Sequence, residues 1–136
     1  MIKLVSVLTT IGFVGMAAGV GAATPLALYT PSQATAGADV YAQNCAACHG
    51  AGLQGGAGPA LTGQSFAGPA NHATVGTIFS VIAEQMPADR PGGLSHTEYE
   101  NVMAYILSQN GYVAGSSALD YQASLASQVP LVSQVK

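Results

Sequence analysis

Charged residues are scarce in this chain. Only 7% of its 136 residues are Asp, Glu, Lys or Arg, against roughly 25% in an ordinary soluble domain. The basic residues are Lys3, Arg90 and Lys136, and the formal net charge is −3. With no basic patch to follow a phosphate backbone, nucleic acid is excluded as a partner. A ring of lysines for docking is excluded too, so partner contacts are expected to be apolar and weakly dependent on salt. Tryptophan is absent and aromatics make up 7%, which leaves little for a conventional core. The hydrophobic content of 49% nevertheless argues against a disordered chain. Seventeen glycines and seven prolines indicate long loops. A single small domain of this kind needs a staple or a cofactor. Catalytic dyads and triads have no candidate residues here. There are only two cysteines, three residues apart.

Residues 1–23 read as a secretory signal. Lys3 supplies the positive start, Leu4 to Val20 is apolar and uncharged, and Gly21-Ala22-Ala23 is acceptable to a signal peptidase. Cleavage is expected after Ala23, and the mature protein is expected in the periplasm. The competing reading is an uncleaved membrane anchor, since the run is about the length of a tilted span. Export would usually turn a cysteine pair into a disulfide. Redox motifs with this spacing sit in α/β folds, however, and no convincing strand is visible.

Three helices are expected, joined by long loops. After a connector at 24–29, Thr30 caps the first, with Pro31 at its first position and Gln33 completing a capping box. Gly37, Val40, Tyr41, Asn44 and Cys45 fall on one face, and the helix is expected to run to His49-Gly50. A glycine-rich loop from Gly50 to Pro69 follows, tolerable if it wraps a bulky cofactor. The second helix covers about Thr74 to Gln85 and carries Val75, Ile78, Phe79 and Ile82. Pro87 stops it near Met86. The third is capped by Ser95 with Glu98, buries Tyr99, Val102, Met103, Ile106 and Leu107, and ends at Asn110-Gly111. The tail at 112–136 is rich in Ser, Ala and Gln. Leu119, Leu125 and Leu131 could anchor it, with a short helix near Asp120 to Gln128.

Cys45-Ala-Ala-Cys48-His49 is the CxxCH attachment motif for c-type haem. Two thiols one helical turn apart reach two vinyl groups and form thioethers. The following His49 is aimed at the iron as proximal ligand. Its other ring nitrogen needs an acceptor, for which the carbonyl of Pro59 is the candidate. A zinc site would instead need a fourth ligand, from His72 or His96. Export and the position of the motif at a helix end favour haem. For the sixth iron position the candidate is Met86, a flexible thioether ahead of a proline-glycine loop. Met103 lies on an apolar stripe and reads as core, while His72 and His96 read as surface residues. Arg90 could pair with a haem propionate but reads as solvated near Asp89. Glu84, Asp89 and Glu100 read as surface charges.

The stretch from Thr30 to Tyr112 resembles a class I cytochrome c. Gly37 and Tyr41 match the family's first-helix pattern, Val102 and Tyr105 match their partners on the terminal helix, and Met86-Pro87 with Pro91-Gly92 resembles the methionine-ligand loop. The segments YTPSQATAGADVYAQNCAACHG, GGAGPALTGQSF and MPADRPGGLSHTEYENVMAYILSQNGY resemble periplasmic cytochromes associated with quinoprotein alcohol dehydrogenases. The resemblance implies an all-α cytochrome c fold over 30–111, three main helices and long loops around one covalent haem. It implies a one-electron carrier, itself no enzyme, between a quinoprotein dehydrogenase and a terminal oxidase. The alternatives are a permanent or membrane-tethered subunit of such a complex, with the tail as an interaction arm, and a haem enzyme or sensor with an open distal site. The last requires that Met86 not bind iron. Membrane contact is expected only if the leader is uncleaved.

Overall fold

The computed structural model describes residues 27–136. The expected leader, its cleavage site and residues 24–26 of the connector lie outside them. Six α-helices follow in order: α1 (Pro31–Asn44), α2 (Ala46–His49), α3 (Gln64–Ala67), α4 (Val75–Gln85), α5 (His96–Gln109) and α6 (Tyr121–Leu125). Among the described residues the one β-type pairing is an isolated bridge between Thr74 and Pro130. The fold is all-α, as the sequence indicates. None of the described helices is long and apolar enough to cross a membrane.

The long helices begin where local chemistry satisfies their free amides. At α1, the Thr30 hydroxyl accepts from the Gln33 amide and the Gln33 side chain accepts from the Thr30 amide. Ser95 and Glu98 repeat this at α5. At α4 the box is Thr74 with Thr77, a pair with no acidic or amide residue to announce it.

The fold is organised by the crossing of α1 and α5. A Cβ on Gly37 would fall on the carbonyl oxygen of Asn101 and lie 2.9 Å from Tyr105 Cβ. Only glycine allows this approach. One turn further along α1, the rings of Tyr41 and Tyr105 meet with centroids 5.3 Å apart and planes tilted by 52°, a packing worth about 1 kcal/mol beyond its buried area. Tyr41, Leu53, Val102 and Ile106 form one buried cluster. Tyr99, Met103 and Leu107 face the other way, onto α4, where they join Val75 and Phe79. Met103 is thus a core residue.

Two expectations need correction. The first helix does not run unbroken to His49. Cys45 leaves helical geometry at φ −124° and ψ −36°, and α2 starts anew. The stretch from Gly50 to Pro69 is not all loop either. It holds α3 and leads into a 3-10 turn at Pro69–Asn71.

The tail is packed onto its own domain. Leu131 is completely buried and Leu119 nearly so, while Leu125 packs against the same core. The amides of Val75 and Gly76, left free at the start of α4, donate to the carbonyls of Val129 and Ser127 at 2.8 and 3.0 Å. Further on, the amides of Leu131 and Ser133 donate to the carbonyls of Ala73 and Ala67. The reading of the tail's leucines as a free interaction arm fails on this burial. Glu100 is likewise no free surface charge, because its carboxylate accepts from the Tyr121 amide at 2.8 Å and holds the start of α6. In the same core, Tyr29 is buried and donates to the carbonyl of Tyr112 at 2.6 Å.

Candidate functional site

The residues after α2 fold back beneath it. Gly50, at φ +80°, turns the chain. The Gly55 amide then donates to the His49 carbonyl and the Gly58 amide to the Cys48 carbonyl, at 2.8 and 2.9 Å. The Leu61 amide closes the loop onto the carbonyl of Leu53, a buried side chain. Asn110, at the end of α5, fastens the loop's far side by donating to the Leu61 carbonyl at 2.9 Å. Pro59 is thereby brought beside His49.

The Pro59 carbonyl oxygen lies 2.7 Å from His49 Nδ1. Because proline has no amide hydrogen and a carbonyl can only accept, the shared proton sits on Nδ1. In the neutral ring this tautomer leaves Nε2 with a lone pair that a metal can take. His49 itself is buried. The Tyr41 hydroxyl donates to the Gly50 carbonyl at 2.7 Å and pins the turn that follows. Burial, with smaller contributions from Cys45 and Tyr105, pushes that hydroxyl up to about 12.

Beside these residues lies a cavity of about 910 Å³, near the upper end of the 300–1,000 Å³ typical of cofactor sites. Its wall is mostly apolar, with Leu61, Phe66, Ile78, Ile82, Val102 and Ile106 drawn from the loop and three helices. Cys45, Cys48, His49, Pro59 and Met86 all line it. The sequence-selected residues are brought together on one surface. Both cysteines are free thiols, Cys48 exposed and Cys45 half-buried. Burial, and secondarily the neighbouring Cys48, pushes the Cys45 thiol up to about 11, so unmodified Cys45 stays protonated at neutral pH. His72 and His96 do not line the cavity. His96 stacks flat on Tyr121, with centroids 3.7 Å apart. Without them Cys45, Cys48 and His49 lack the fourth ligand of a structural zinc site, and among the described residues no three metal-binding side chains are gathered.

Met86 sits where α4 stops, in extended geometry at φ −119° and ψ 153°, as expected of a residue before proline. Three polar contacts tie down the loop that starts there. Arg90 Nη2 donates to Asn44 Oδ1 at 2.7 Å and so joins the loop to the end of α1. The buried Tyr99 hydroxyl donates to the Met86 carbonyl at 2.7 Å and accepts from the Leu94 amide at 3.3 Å. Sequence reading missed all three. Arg90 is exposed, as its sequence context beside Asp89 suggests, yet its side chain reaches Asn44, 46 positions away. In sequence Tyr99 reads only as part of an apolar stripe. The available signal was its type, since a buried tyrosine hydroxyl needs a polar partner.

The residues present fit a haem. The cavity has the volume and apolar wall for a macrocycle, two thiols lie along it, and the one hydrogen-bonded nitrogen of His49 leaves the other available. Residues 32–106 match the family described as cytochrome C oxidase, cbb3-type, subunit III. None of the curated proteins matches the chain. Among solved structures, the crystal structure of the sulfane dehydrogenase SoxCD from Paracoccus pantotrophus is similar, with a TM-score of 0.52 and 26% identity over 68% of this chain. The match spans about half of that longer chain, 51%. With the match to residues 32–106, this chain belongs to the c-type cytochrome family of cbb3-type oxidase subunit III, whose domain carries haem-based electron transfer.

Proposed function

We propose that the protein is an exported one-electron carrier for a single haem c, which Cys45 and Cys48 would hold as thioethers and whose iron His49 Nε2 and Met86 Sδ would bind. The observation that carries this reading is the convergence of those four side chains on one apolar cavity. When bound, the haem supplies a reversible one-electron iron couple.

The protein's own residues do the rest. Pro59 holds the His49 ring in one orientation and one tautomer, so Nε2 stays presented. Met86 offers a soft thioether, which favours the reduced metal and raises the potential. The apolar wall excludes water and so limits the solvent rearrangement that accompanies a change of charge on the site. With His49 and Met86 both holding the iron, the redox change would need no exchange of ligand. The cavity rim carries exposed Ala47, Ala57, Pro59, Val81 and Ala88, an apolar surface suited to brief docking.

The donor and acceptor we propose are a quinoprotein dehydrogenase and a terminal oxidase, on the sequence resemblance. In this reading the leader at 1–23 directs export, and residues 30–111 form the cytochrome domain with 112–136 folded onto it. Likeness to part of a sulfane dehydrogenase favours a second reading, a fixed cytochrome subunit of a dehydrogenase.

Covalent attachment is tested by acid denaturation followed by intact mass. The account expects one haem to remain on the chain, with neither thiol open to alkylation. Extraction of the haem with both thiols reactive would contradict it. Native mass of the complex as isolated separates carrier from subunit.

A further inference from the structure

We infer that Tyr99 is a positioning residue for Met86, acting through the backbone at both ends of the loop that carries it. This inference rests on the proposal that Met86 binds iron. Residues 86–94 leave α4 and return to α5 across the cavity, and a methionine on such a segment holds a metal only as firmly as the segment is held. The Tyr99 hydroxyl bonds to both ends. It donates its hydrogen to the Met86 carbonyl at 2.7 Å and accepts the Leu94 amide at 3.3 Å. Its ring is 2% exposed and packed in the core with Phe79 and Met103. The hydroxyl is therefore fixed from below by α5, independently of the loop it holds.

Arg90 adds a tie at the middle of the loop, but from an exposed side chain. Exposed contacts compete with water and contribute little. The Tyr99 contacts are part-buried, where a lost partner is felt most. Removing the hydroxyl frees both loop ends at once and leaves the apolar packing in place. The consequence falls on how readily Met86 is displaced, rather than on attachment of the haem.

The experiment compares the haem-loaded wild type, Tyr99→Phe and Tyr29→Phe in the oxidised state, titrated with imidazole while the methionine–iron charge-transfer band is followed. Tyr29 is the control, a buried tyrosine whose hydroxyl donates to the Tyr112 carbonyl and which does not line the cavity. The inference predicts that Tyr99→Phe binds imidazole about tenfold more tightly than wild type, the effect of two neutral hydrogen bonds. Tyr29→Phe stays within about twofold of wild type. Equal affinities in all three, or equal gains in both variants, would overturn it. A wild type without the charge-transfer band would instead remove Met86 from the iron, and the inference with it. Wild-type hydrogen exchange gives a measurement that needs no variant to fold. The Leu94 amide should be protected well beyond the exposed loop amides, and exchange at their rate would overturn the clamp.

Discussion

His49 Nδ1 and the carbonyl oxygen of Pro59 lie 2.7 Å apart, although they stand ten positions apart along a glycine-rich stretch. The approach depends on Gly58, where a Cβ would stand 2.8 Å from His49 Cε1 and 2.9 Å from Nδ1. Gly58→Ala must therefore push the imidazole or the loop. The variant should be about 1–3 kcal/mol less stable when haem-loaded. The check is the urea midpoint of the holoprotein, which should fall relative to wild type.

Gly37→Ala tests the helix crossing. Its Cβ has no room beside the Asn101 carbonyl, so α1 and α5 must part and the Tyr41–Tyr105 contact loosens. The expected loss is about 3 kcal/mol, read from chemical denaturation. A loss below about 0.5 kcal/mol, ordinary for a surface change, would show that the crossing is not closely packed.

Leu131→Ala tests the packed tail. The side chain is completely buried, so truncation should cost about 2–5 kcal/mol. Thermal melting is the measurement. A tail serving only a partner would leave the isolated protein's melting unchanged.

Glu98 gives a pH dependence. The Ser95 amide, and then the Ser95 hydroxyl, donate to its carboxylate at 2.8 and 2.7 Å and hold it below the usual range; Arg90 adds a smaller pull. A carboxyl whose folded value is lowered contributes stability that is complete above its unfolded value, about 4.3, and is lost as pH falls through the folded one. The stability gap between wild type and Glu98→Gln should thus be widest near neutrality and close below about pH 4. A gap independent of pH would show that the charge contributes nothing.

The sequence announced what was local. Thr30 with Gln33 and Ser95 with Glu98 marked two helix starts because capping is settled within four residues. The proline after Met86 marked the end of α4 in the same way. The CxxCH motif marked Cys45, Cys48 and His49, the methionine ahead of a proline marked Met86, and Pro59 followed from asking what a ligating histidine's second nitrogen needs. What stayed hidden was settled by distant parts of the chain. The Asn44–Arg90 contact, the Glu100 carboxylate under α6, and the tail carbonyls that receive the amides of α4 all join residues far apart in sequence. The Tyr99 clamp spans only 13 residues, yet its stripe position masked its polar role. Local pattern gave Tyr99 an inward face and said nothing of where the hydroxyl would end.

The central claim, a haem ligated by His49 and Met86, is tested most directly by the absorption spectrum of the exported protein, oxidised, then reduced, then exposed to carbon monoxide. The account predicts a low-spin c-type haem with a methionine–iron charge-transfer band when oxidised, and a reduced spectrum unmoved by carbon monoxide. A high-spin haem that binds carbon monoxide would contradict it, leaving Met86 off the iron and the sixth position open.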